Sequence, residues 1–149
     1  FQGMDLTDGA GNLSPLLLLA NNLRACAVTM LYGLIPFVRL PALALGVNAV
    51  LLGGLAACYA ATDTTMLLYA ASLLPHGIFE LPALILAFSM GLYICGHLTR
   101  RCRRDPAALP LGACLGRAAR LLAFLLLPLL ILAALTEAYV TPLAAGLFL

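Results

Sequence analysis

The chain has 149 residues, of which 64% are hydrophobic and only 9% charged, where a soluble domain carries about 25% charged residues. Mean hydropathy is +1.08 and net charge is +2. These values exclude an ordinary soluble enzyme and a nucleic-acid-binding surface, and leave an integral membrane protein whose first partner is the lipid bilayer.

In chain order, Phe1-Gln2-Gly3 ahead of Met4 reads as the remnant of a cleaved tag, with a single membrane domain over 4–149. Asp5 and Asp8 stand where a secretory leader has its basic region, so no leader is expected. A helical span needs about 20 apolar residues, and four segments qualify: Leu23–Val38, Ala42–Ala61, Ile78–Leu98 and Gly116–Thr136. Two shorter apolar pieces precede the first and third of these, Leu13–Ala20 and Met66–Leu74. One stops at Asn21-Asn22 and the other at Pro75-His76-Gly77. The expected fold is an all-α polytopic membrane bundle of four transmembrane helices plus two half-length segments, re-entrant or interfacial. The segments 13–61 and 64–149 share this pattern, as pseudo-repeat halves would, without residue identity to match.

All eight basic residues are arginine. Arg100, Arg101, Arg103 and Arg104 follow the third span, and Arg39 lies in the turn between the first two. The positive-inside rule places loop 100–104 and that turn in the cytoplasm and both termini outside, with Arg24 a minor exception. Contact with anionic lipid is the default reading of the arginine run. The five cysteines show no metal-ligand spacing, and those in spans serve as small apolar fillers. His97 falls at the cytoplasmic end and is expected to snorkel to the interface.

This topology gathers Asn21, Asn22, Asp63, His76, Glu80, Glu137 and Thr141 toward the outer side, with Asn48 near the middle of span two. An imidazole and carboxylates in hydrocarbon are costly, and mark function when they face a protein interior. His76 and Glu80 are four apart, so one continuous helix would put them on one face with Ala83, Ala87 and Gly91. Pro82 allows a second arrangement, in which the helix starts at Leu81 or Pro82 and the pair sits in an unwound stretch. His76, Glu80 and Glu137 form an N/O metal-ligand candidate set, without an HExxH signature to support it. The remaining expectations are local. Asn21 and Asn22 cap span one, Asn48 makes an interhelical hydrogen bond, and Asp63 caps the next segment. Pro128 kinks span four. Ala42, Gly46, Ala49, Gly53, Ala56 and Ala60 form a small-residue stripe for another helix, within the chain or across a dimer.

Asn21-Asn22, Gly33, Asn48, the run Leu74-Pro75-His76-Gly77-Ile78-Phe79-Glu80, Gly91, and Glu137-Ala138-Tyr139-Val140-Thr141-Pro142 carry a resemblance to the stage II sporulation protein M family of membrane proteins. It spans about Leu13 to Pro142. The chain departs from the family pattern at Asn48-Ala49, where asparagine-glycine is common, and many members have a further N-terminal span. The resemblance implies a protein like the namesake, which acts in endospore formers during engulfment in a membrane complex with cell-wall hydrolases, localising rather than cutting. Similar proteins occur in organisms that make no spores, so a sporulation role does not carry over. The leading expectation is a non-catalytic protein of the cell membrane that organises an envelope complex, as a homodimer or with envelope protein partners. A solute or ion transporter with its site at the two breaks, and an intramembrane metalloenzyme, are the alternatives. No cofactor is implied.

Overall fold

The computed structural model describes residues 14–61 and 66–140, and every element among them is helical. Helix α1 covers Pro15–Leu31 and ends in one 3-10 turn, Tyr32–Leu34; α2 covers Leu40–Ala61, and α3 covers Met66–Cys102. The last span is built from α4 (Leu111–Leu121), a π-helical turn (Leu122–Leu126), α5 (Leu127–Leu135) and a second π turn (Thr136–Val140). Among the described residues, four helices are long and apolar enough to cross a membrane: Pro15–Leu34, Leu40–Ala61, Gly77–Cys102 within α3, and Leu111–Val140.

The four expected spans are present, but the first begins earlier and neither apolar piece is a separate half-segment. α1 starts at Pro15, and Asn21-Asn22 lie inside it. Proline suits a first helical position because its fixed φ is pre-set and its missing N–H has no partner there anyway. Ser14 is the flanking residue, and its carbonyl accepts the Leu18 N–H at 3.0 Å. The asparagines therefore cap nothing; intrinsic propensity is a weak preference that a continuous apolar run overrides. The first span ends at Leu34, two residues before Pro36, rather than at Val38. Ile35, ahead of that proline, is extended at φ −91° and ψ 105°, as the clash with a following proline ring requires.

α3 likewise runs without interruption for 37 residues through Pro75, His76, Gly77 and Pro82. The unwound alternative is thereby excluded, and Glu80 sits one turn below His76 on one helix. The polar side of that helix continues into a closely packed one: Ala83 and Ala87 are fully buried, and Gly91 is buried. Lipid tails offer no hydrophobic drive for helices to associate, so close van der Waals contact through small residues has to supply it. The core joins Cys26 and Met30 of α1, Ala83, Ala87 and Ile94 of α3, and Leu126 and Leu130 of the last span. Phe124, Leu125, Ile131 and Leu132 stay uncovered on the outer side of that span. A π turn, Leu122–Leu126, lies just ahead of Pro128, which sits in the first turn of α5.

Gly33 and Gly91 lock α1 to α3. A side-chain carbon on Gly33 would run into the Gly91 carbonyl, and one on Gly91 would come 2.8 Å from both the Pro41 ring and the Thr29 carbonyl. The end of α1 and the start of α2 thus wedge against one point of α3.

α2 departs from expectation. Pro41 is its one fully buried residue, and Gly46, Gly53 and Gly54 face open space. Among the described residues, Gly46 and Gly53 of the small-residue stripe meet nothing within 4 Å, while Ala49 lines the cleft toward α3.

The two connections opposite the termini meet. The Phe37 N–H donates to Thr99 Oγ1 at 2.9 Å, and the Arg103 guanidinium lies 5.9 Å from the Phe37 ring centre. Arg39 and the 100–104 cluster are therefore on the same end of the bundle. α3 closes there in a Schellman motif. The Asp105 N–H donates to the Arg100 carbonyl at 3.0 Å and the Arg104 N–H to the Arg101 carbonyl at 3.0 Å, with Arg104 left-handed at φ 59°. His97 does not snorkel. Its Nδ1 accepts the Leu109 N–H at 3.2 Å, and its ring meets Tyr93 edge-on at 4.5 Å.

Candidate functional site

α1 and α3 both run from the terminal end toward the arginine end, so the Gly33–Gly91 contact sets their register. Asn22 is eleven residues above Gly33, and Glu80 is eleven above Gly91. At 1.5 Å per residue both lie roughly 16 Å from the crossing. Asn22 is half-buried at that depth, whereas Asn21 turns outward and is exposed.

Glu80 is the centre of the polar group. It is half-buried, and Glu137 of the second π turn lies within electrostatic reach of it. It also acts on the Cys26 thiol, one turn below Asn22 on α1 and fully buried. Groups on three separate helices thus lie within electrostatic reach of one another around Glu80. Glu137 belongs to a π turn, and wide turns of this kind recur at functional positions. Thr136, beside it, turns its Oγ1 back to donate to the Leu132 carbonyl at 2.8 Å.

On its other side Glu80 lines a cleft of about 300 Å³ between α2 and α3. Asn48, Leu52, Gly77, Leu84 and Phe88 share the wall. Asn48 does not bridge helices as expected: its Nδ2 donates to the Ala44 carbonyl of its own helix at 2.9 Å. A side-chain amide in hydrocarbon takes the nearest carbonyl, and one turn back is always within reach.

Of the residues expected to gather, the structure puts Glu80 within electrostatic reach of Glu137, sets Asn22 level with Glu80 and puts Asn48 on the cleft wall. Asn21 stands apart. Thr141, Asp63 and the His76 side chain lie outside the described residues. Among the described residues no three His, Cys, Asp or Glu side chains form a metal-ligand group; the candidate set of His76, Glu80 and Glu137 includes a side chain beyond that description. Cys26 was missed because a thiol in a span reads as filler. Its spacing of four from Asn22 was the available signal.

Chemically, the site offers two carboxyl groups, a thiol and an amide beside mostly apolar walls. Carboxyl oxygens suit a proton or a hard cation, and burial among helices is the setting in which such groups survive in a bilayer.

The fold and this interior define a polytopic helical membrane protein with an acidic pair in its bundle. The model of the family described as stage II sporulation protein M matches residues 7–142, nearly the whole chain, and the chain belongs to that family. No curated protein and no solved structure matches it.

Proposed function

We propose that this chain is a non-catalytic membrane protein that organises a cell-envelope complex. In this reading it acts as a homodimer, joined through the uncovered face of α2 and open to further envelope partners. The observation that carries the reading is that α2, long enough to span, buries only Pro41 and presents Gly46, Gly53 and Gly54 to open space. Helices in lipid associate through such small residues because backbones can then approach closely. The interior polar group then serves to hold α1, α3 and the last span in one arrangement. The arginine end faces the cytoplasm, since five arginines in and beside the two connections face Asp105 alone.

The test is oligomeric state in lipid. Labelled protein reconstituted at falling protein-to-lipid ratio should show energy transfer between copies, and Gly53→Leu should abolish it while thermal stability is kept. Energy transfer unchanged in that variant would reject the α2 face as the contact.

A second reading, a solute or ion transporter, draws support from the cleft that places Glu80 beside Asn48. Proteoliposomes should then carry a cation or proton flux that Glu80→Gln alters. Liposomes without flux above the protein-free background would remove it.

A further inference from the structure

We propose that the arginine end carries a built pocket for the phosphate of an anionic phospholipid. A cavity of about 500 Å³ opens between the 35–39 connection and the last turns of α3. Phe37, Arg39, Cys95, Thr99, Arg100 and Arg103 are among its walls. The volume is in the usual range for a small-molecule site.

Its walls are held in place. The Phe37 N–H donates to Thr99 Oγ1. The Cys95 thiol reaches the Ile35 carbonyl at 3.4 Å and the Val38 carbonyl at 3.7 Å. Phe37 adopts a left-handed φ of 66°, a conformation that costs a non-glycine residue about 1 kcal/mol. That turn presents its ring to Arg103 at 5.9 Å. The connection is thus fixed to α3 on the side from which Arg39 enters the cavity.

The charge in the cavity is unbalanced. Asp105 is the one acidic residue among the described residues of the two connections, and its Oδ2 lies 4.0 Å from Arg100 Nε. Arg39 and Arg103 have no carboxylate there. Planar guanidinium groups converging on one space match phosphate oxygens, each able to donate two parallel hydrogen bonds.

Position selects a lipid over a water-soluble phosphate. The pocket sits at the five-residue connection between two spans, where hydrocarbon gives way to head groups. Ile35, Phe37 and Val38 are uncovered at 46%, 58% and 46%, an apolar rim against which acyl chains can lie. Basic pockets between transmembrane helices at this depth take anionic head groups.

The test is lipid retention by the purified full chain, read by native mass spectrometry and by Tm in detergent. Phosphatidylglycerol should be retained and should raise Tm, whereas phosphatidylcholine should do neither. Arg39→Gln with Arg103→Gln should weaken phosphatidylglycerol retention by roughly tenfold or more. Arg120→Gln, outside the pocket, should leave it unchanged. Equal retention of the two lipids by the unmodified protein would overturn the proposal without reliance on any variant. So would a double variant that retains the anionic lipid fully. Stabilisation by inorganic phosphate equal to that by phosphatidylglycerol would reject the lipid and leave a soluble phosphate as the ligand.

Discussion

Gly33 and Gly91 touch backbone to backbone, and this contact determines which residues of α1 and α3 share a depth in the bundle. Fifty-eight positions separate them in sequence, yet the arrangement of Asn22, Cys26 and Glu80 follows from their meeting.

Replacing either with alanine should be costly. A carbon on Gly91 meets the Pro41 ring and the Thr29 carbonyl at 2.8 Å, and backbone cannot yield as a flexible side chain can. Gly91→Ala and Gly33→Ala should each destabilise by about 2 kcal/mol or more. Gly46→Ala, which meets nothing within 4 Å, should be neutral or stabilising by about 0.5–1 kcal/mol. Thermal unfolding in detergent separates the two cases, and a Gly91→Ala protein as stable as the parent would discount the crossing.

Arg104 occupies the left-handed position of the Schellman motif, where glycine is the usual residue. Arg104→Gly should therefore raise stability by about 1 kcal/mol, less the loss in chain entropy that glycine brings. Arg104→Val should lower it. Comparison of denaturation midpoints checks the order glycine above arginine above valine.

His97 holds the α3–α4 connection by accepting the Leu109 N–H. His97→Phe retains the ring beside Tyr93 and removes the acceptor, leaving a half-buried donor unpaired at a cost of about 1–3 kcal/mol. The loss should be local. Amide exchange at Leu109 should quicken, and a protease should cut within 103–110 more readily than in the parent.

Glu137 lies within electrostatic reach of Glu80. Glu80→Gln and Glu137→Gln should then be non-additive, with a coupling of about 0.5 kcal/mol or more in a double-mutant cycle. Additive effects within about 0.3 kcal/mol would show that the two groups act independently.

The sequence made the four-span architecture legible because hydrocarbon demands long apolar helices and tolerates little else. Span direction alone also puts Glu80 and Glu137 toward the same end of the bundle. The sequence misled at the polar and proline-containing points. Asn21-Asn22 and Pro75-His76-Gly77 read as breaks because propensity disfavours them in helices, yet both are helical, since inside an apolar span the backbone has no better partner than itself. Asn48 was assigned a neighbouring helix when its own carbonyls were closer. The contacts that build the arginine end, Phe37 with Thr99 and His97 with Leu109, join residues with no periodic relation, and nothing in their spacing announces them.

Pro41 is the one fully buried residue of α2 and lies in its first turn, while the middle of the helix faces α3 across the cleft that holds Glu80 and Asn48. A neighbour pressing on the uncovered surface of α2 would narrow that gap, and so bear on a carboxyl group it never touches.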